Sequence, residues 1–207
     1  MISIILSFRI SRRVPFDERR QALISRTFCY WQIVRELFHL ELIFIDDHSE
    51  DFGIAEDFIF PMKGEKVDWN QGAARNYGAS LAKGDNLLFT DIDHMLYGDF
   101  SFLDYAMVGG QYVTFPRKLK CDGIYKDIHS HKNTFCIRKS DFIEYDEDFC
   151  GNYGHEDSEL FYRMNKLYTA VLSNNSLTAF LTNLRSADLP RDSSINKQLL
   201  YKKIGAV

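Results

Sequence analysis

Apolar strand-like runs that end on charged residues, with helix-like stretches between them, constrain this chain most. Residues 2–8 form a strand-like run closed by Phe8-Arg9. Residues 42–45 end on Asp46-Asp47, and residues 87–90 end on Asp91-Ile92-Asp93. Residues 58–61 read as a further short strand. A helix is expected over residues 16–37, opening after Pro15 with Asp17 and Glu18 in its first turn. Another is expected over residues 70–82, with Gly84 as its C-cap. Apolar strands joined by helices predict an α/β fold with a mostly parallel central sheet and helices on both faces. Ligands in such sheets bind beyond the carboxyl ends of the strands. The charged strand ends should therefore share one crevice.

Beyond Asp93 the alternation loosens. Residues 101–107 suggest a short helix, and residues 112–115 and 134–137 suggest strands. Ser140 can N-cap a short helix through Phe142 and Ile143. Residues 118–132 are polar and loop-like, and a loop of that length is a candidate lid. Residues 156–168 read as a helix with Leu160, Met164 and Leu167 along one face. The tail from Asn174 mixes turn residues with Leu199-Leu200-Tyr201 and has no clear pattern.

The 207 residues suit one domain, read as halves 1–98 and 99–173 with a tail 174–207. A hydrophobic fraction of 45% and an aromatic fraction of 14% argue against disorder. The net charge of −4 gives no general attraction for nucleic acid. Cys29, Cys121, Cys136 and Cys150 lack zinc-ligand spacing and read as reduced thiols. With no basic leader and no run of membrane-spanning length, a cytoplasmic setting is expected, with peripheral membrane association as the other reading.

Three acidic clusters carry the chemistry. Asp91 and Asp93 have no Lys or Arg next to them in sequence, and carboxylates two apart on a strand point to one side. Hard oxygen ligands of this kind suit Mn²⁺ or Mg²⁺, with a phosphate completing the shell. Their bland reading is turn capping. Asp46-Asp47 reads either as an Asx-turn or as a strand-end acceptor for a ligand's N–H or hydroxyl groups. Glu156-Asp157 opens a helix, where acids complement the dipole. The preceding Gly151-Asn152-Tyr153-Gly154 adds glycines that allow close backbone approach and a ring suited to stacking on a sugar.

In order and spacing the clusters resemble nucleotide-sugar-dependent glycosyltransferases of the GT-A fold. Residues 43–51, Ile-Phe-Ile-Asp-Asp-His-Ser-Glu-Asp, are similar to the family 2 strand followed by Asp-Asp-Gly-Ser-x-Asp. Gln71-Gly72-Ala73-Ala74-Arg75-Asn76-Tyr77-Gly78 is similar to that group's Gly-x-x-x-Ala-Arg-Asn-x-Gly helix, and Asp91-Ile92-Asp93 to its Asp-x-Asp. Residues 152–160 resemble the Gly-Trp-Gly-x-Glu-Asp element of a galactosyltransferase-like group, and Ser7-Phe8-Arg9 its Pro-Phe-Arg. The resemblance spans residues 2–168. His48 replaces a usual Gly, Tyr153 replaces Trp, and no His follows His155 where many relatives supply a late metal ligand. Asn183 or water would fill that place.

The resemblance implies an inverting, metal-dependent transfer of a sugar from a nucleotide-diphosphate donor, with UDP favoured, to a hydroxyl on a glycan, lipid-linked or other acceptor. Phe8, Arg9, Asp46 and Asp47 would line the nucleotide, and Arg75 would stand near the base or diphosphate. Asp91 would approach the ribose or a metal-bound water, and Asp93 would ligate Mn²⁺ or Mg²⁺. Asp157 would be the base, held ionised at its helix N-terminus. Glu156, Tyr153 and Gly154 would meet the acceptor. His129 and His131 read as solvated loop residues, with reach to the site as the other reading, and His94 as structural or surface.

Three further readings stay open. A nucleotidyltransferase would want a glycine-rich basic loop after the first strand; Arg9, Arg12 and Arg13 are there, but no glycine precedes Gly53. A non-catalytic nucleotide-sugar-binding module would tolerate the missing late His. A DNA-base glycosyltransferase would need the local strip Arg117, Lys118, Lys120, Lys126 and Lys132 to overcome the acidic balance.

Overall fold

The computed structural model describes residues 1–9, 18–49, 56–64, 69–121, 124–152, 154–173, 177–181 and 192–205. The first part runs β1 (Ile2–Phe8), α1 (Glu18–Phe38), β2 (Glu41–Asp46), β3 (Ile59–Pro61), α2 (Gln71–Leu81), β4 (Asn86–Asp91), β5 (His94–Gly98) and α3 (Phe102–Ala106). The second runs β6 (Gln111–Thr114), β7 (Arg117–Cys121), β8 (Ile124–Ile128), β9 (Phe135–Arg138), α4 (Glu156–Leu167), β10 (Thr169–Leu172), β11 (Leu177–Leu181) and α5 (Ser194–Ile204). The expected start of the first helix, at residues 16 and 17, lies outside the described residues.

Seven strands form one sheet in the order β10-β6-β9-β4-β1-β2-β3. The β1–β2, β1–β4, β2–β3 and β6–β10 ladders are parallel, and only β9 runs against its neighbours. The expected mostly parallel sheet is therefore present. Every residue of β1 is buried, as a strand covered on both faces requires. Alternation sends Ile2, Ile4, Leu6 and Phe8 into one core with Ile24, Phe28, Trp31 and Val34 of α1. Ile5 joins the opposite core with Ala74 and Ala79 of α2 and Leu160, Phe161 and Met164 of α4. In register, Phe8 lies beside Asp46 and Ser7 beside Asp91, so the charged strand ends align on one edge.

Several local expectations change. Residues 118–132 are not one long loop: β7 and β8 form an antiparallel hairpin, and β7 also pairs in parallel with β11. With β5 they make a second, four-stranded sheet. Gly84 does not cap α2; the C-cap is Ala82 in an extended conformation. Gly84 instead passes so close to β1 that a Cβ would lie 2.6 Å from Ser3 Oγ and 2.7 Å from the Met1 carbonyl oxygen. Ser140 starts no α-helix, since residues 139–141 make one 3₁₀ turn and Phe142 is extended. Leu167 in the last turn of α4 is exposed, and Phe161 takes its place in the core. The tail contributes a strand and a helix. Cys29 and Cys136 are free thiols. Among the described residues, no helix is long and apolar enough to cross a membrane.

Candidate active site

α2 is the hub of the site. Its N-cap Asn70 accepts from the Ala73 N–H at 2.9 Å and donates to the Glu147 carbonyl at 2.8 Å. Small residues let the helix lie close to its neighbours: a Cβ on Gly72 would meet the Tyr145 Cβ at 3.0 Å, and one on Gly78 would meet Ile5 Cγ2 at 2.6 Å. Gln71 and Arg75, one turn apart, both reach the end of β4. Gln71 Nε2 donates to Asp91 Oδ1 at 2.9 Å, and Arg75 Nη2 donates to the same oxygen at 2.7 Å. Asn133 Nδ2 donates to Asp91 Oδ2. The carboxylate that lacked a cationic neighbour in sequence thus has one in space.

Arg75 also donates through Nη1 to Asp157 Oδ1 at 2.8 Å and to the Tyr145 hydroxyl at 2.6 Å. The Tyr145 hydroxyl donates in turn to Asp157 Oδ1 at 3.2 Å. Arg75 is 0% exposed, and its guanidinium is held between the two carboxylates. Burial alone would lower its pKa; Tyr145, Asp157 and Asp91 hold it above the ordinary arginine value. Burial pushes the Asp157 carboxyl upward, against the pull of Arg75 and the Tyr145 hydroxyl. Burial and then the Asp157 charge push Glu156 up to about 7. Glu156 Oε2 is buried without a hydrogen-bond partner among the described residues.

Beyond Asp91 the chain turns through Ile92 and Asp93 into β5, so Asp93 is not on the strand. The turn is pinned by the buried Thr27 of α1, whose hydroxyl donates to the Ile92 carbonyl at 2.8 Å. Asp91, Asp93 and His94 each bring a ligand atom within 4.8 Å of the others. His94 is buried, with Nδ1 2.6 Å from the Thr134 hydroxyl and Nε2 3.7 Å from Asp93 Oδ1. Burial, with Arg117 and Arg75 adding, drives its pKa down to about 3. The ring is therefore neutral, and when Nδ1–H donates to Thr134 the Nε2 lone pair faces Asp93. A carboxylate pair with a neutral imidazole fits a divalent cation such as Mn²⁺. His94, read from sequence as structural or surface, is thus a candidate ligand. Burial lowers the Arg117 pKa, against the charges of Asp91 and Asp93.

At the neighbouring strand end, Asp47 is 2% exposed, and its N–H donates to the Phe8 carbonyl at 2.9 Å. Arg9 Nη1 stands 3.6 Å from Asp47 Oδ2, an oxygen with no hydrogen-bond partner among the described residues. Burial raises the Asp47 pKa, against the Arg9 charge and a backbone N–H from Asn70. Asp46 Oδ1 accepts from the Ser49 N–H at 2.9 Å, the Asx-turn reading of that residue. His48 takes φ +55°, a left-handed conformation that favours glycine. The Phe8 ring packs on Phe28 inside the core, while Arg9 stands beside Asp47. Gly154 and His155 turn the chain into α4 with φ +80° and +75°. Tyr153 and Asn183 lie outside the described residues. His129 and His131 are exposed; His131 Nδ1 accepts from the Asn133 N–H at 3.2 Å.

No protein-family model and no curated protein matches the sequence. Solved structures do match, and they are GT-A-fold glycosyltransferases. GalNAc-T7, solved with UDP, GalNAc and Mn²⁺, superposes with a TM-score of 0.67 at 13% identity over 98% of this chain and 48% of that one. TarS of S. aureus, residues 1–349 in complex with UDP-GlcNAc, gives 0.65 at 15% identity over 98% of this chain and 66% of that one. The catalytic domain of Drosophila β1,4-galactosyltransferase 7 with xylobiose gives 0.54 at 12% identity over 84% and 65%. The chain therefore has the GT-A fold, and it spans about half the length of the GalNAc-T7 chain.

Proposed function

We propose that this chain is a cation-dependent glycosyltransferase that moves a sugar from a UDP-sugar to an acceptor hydroxyl with inversion. The observation that carries this reading is the network in which one buried guanidinium joins Asp91, beside the candidate cation ligands Asp93 and His94, to Asp157 at the head of α4. Donor-side and acceptor-side carboxylates are thereby fixed relative to each other. That the solved neighbours include complexes with UDP, UDP-GlcNAc, GalNAc and Mn²⁺ supports the choice of ligands.

Asp47 Oδ2 is suited to accept an N–H of the base, with Arg9 beside it. Asp93 and His94, with Asp91 beside them, would hold Mn²⁺, which when bound neutralises charge gathering on the leaving diphosphate. Arg117, whose Nε has no hydrogen-bond partner among the described residues, offers a second positive charge on that side. Asp91, with both oxygens engaged by Arg75, Gln71 and Asn133, orients this edge. Asp157 would take the proton of the attacking hydroxyl, and Glu156 with residues 151–154 would hold the acceptor. In this reading residues 1–98, joined by Arg117, serve the donor, and the remainder of residues 99–173 the acceptor.

A panel of UDP- and GDP-sugars with Mn²⁺, read by nucleotide release, tests the class. Turnover should appear with a UDP-sugar and fall at least about 10²-fold in Asp157→Asn, with UDP affinity within about twofold of wild type. Equal loss of turnover and UDP binding would overturn the assignment of Asp157 as base.

A further inference from the structure

The chain before α4 turns through three left-handed residues in five positions: Gly151 at φ +73°, Gly154 at +80° and His155 at +75°. Its described residues draw hydrogen-bond partners from elsewhere in the chain. The Gly151 N–H donates to the Trp69 carbonyl at 2.9 Å. The carbonyls of Asn152 and Gly154 both accept from one side-chain amide, Asn196 Nδ2 of α5, at 3.0 and 2.8 Å. Asn196 is 1% exposed, so this amide is withdrawn from water and committed to the loop. Ser193, just before α5, closes the other side: a Cβ on Gly154 would lie 3.9 Å from its Cβ.

α5 is itself anchored. Lys203 Nζ reaches Asp146 and, at 2.7 Å, Asp148. The Tyr162 hydroxyl of α4 donates to the Ile204 carbonyl at 3.3 Å. Between those aspartates, Glu147 is held from α2 by Asn70 and Asn76. The same segment is thus gripped by the donor-side helix and by α5.

We propose that α5 is the clamp that shapes the acceptor loop, with Asn196 as a positioning residue acting through the Asn152 and Gly154 carbonyls. This rests on the acceptor-side reading of residues 151–157. Glu156 and Asp157 follow the loop directly, so the clamp also sets the direction from which an acceptor meets them.

Hydrogen exchange by mass spectrometry on the full chain tests this with Asn196→Ala and Asn196→Asp. The aspartate keeps the shape but turns an acceptor toward two carbonyls. Both variants should accelerate exchange of residues 151–157 at least about tenfold and leave β1, β2 and β4 within about twofold. Affinity for UDP with Mn²⁺ should also stay within about twofold of wild type. Wild-type exchange in Asn196→Asp would overturn the proposal, because shape alone would then suffice. So would acceleration spread evenly over the sheet, which marks global destabilisation. Absence of UDP binding by the wild type would overturn the donor reading while leaving the exchange result to judge the clamp.

Discussion

Arg75 serves two carboxylates with one buried guanidinium, and removing it leaves both charges uncompensated. Arg75→Leu should cost about 3–5 kcal/mol in urea unfolding; a loss below about 1 kcal/mol would mean the pairs carry little. Glu156 gives a pH signature. Its carboxyl moves from an ordinary 4.5 to about 7 on folding. Between those values the folded chain keeps a proton that the unfolded chain releases, so stability falls as pH rises through that window. Glu156→Gln removes the penalty. Its advantage in Tm over wild type should grow from about pH 4.5 to about pH 7 and level off above; a difference independent of pH would contradict the assignment. At this scale the acids were legible because their residue types and strand-end positions mark them. Arg75 was legible only as a motif member: its partners lie 16 and 82 residues away, and only packing of α2 brings them to it. His94 looked inert because sequence does not report that burial strips its charge and turns Nε2 toward Asp93.

Among the elements, α2 does the positioning. Asn70→Ala removes a helix cap and the bond to Glu147, and should lower stability by about 1–2 kcal/mol in thermal unfolding. Gly78→Ala forces a methyl against Ile5 and Ile45 in a packed core, at about 1–3 kcal/mol; an unchanged Tm would show that the helix can retreat from the sheet. The β1, β2 and β4 spans were readable from sequence as apolar runs ending on charged residues, and α2 and α4 as the helix-like stretches around them. The β7–β8 hairpin was not. Ile124-Tyr125-Lys126-Asp127-Ile128 alternates only weakly and is largely exposed, so its strand state comes from pairing with β7. Likewise β5 went unread after the acidic turn, because its partner β11 lies in the tail, far off in sequence. α5 has no strong apolar stripe, and it is held by Asn196, Leu200 and Lys203.

For the whole molecule, parallel ladders align Phe8-Arg9, Asp46-Asp47 and Asp91 at one edge, and the antiparallel insertion of β9 leads to the loop and helix that bring Asp157 up to the same edge. The alternation of buried strands and helices made a mostly parallel α/β sheet legible in the sequence, and the resemblance of the acidic motifs pointed from that sheet to the GT-A fold. What the crevice binds depends on side chains drawn from distant segments, and so it is the cation and the nucleotide that decide the account. The most direct measurement is calorimetric titration of UDP into the intact chain, with Mn²⁺ and after chelation, for wild type and Asp93→Ala. Saturable binding that needs Mn²⁺ and weakens at least about tenfold in Asp93→Ala is predicted. No binding of UDP with Mn²⁺ present, or the same affinity after chelation, would contradict it.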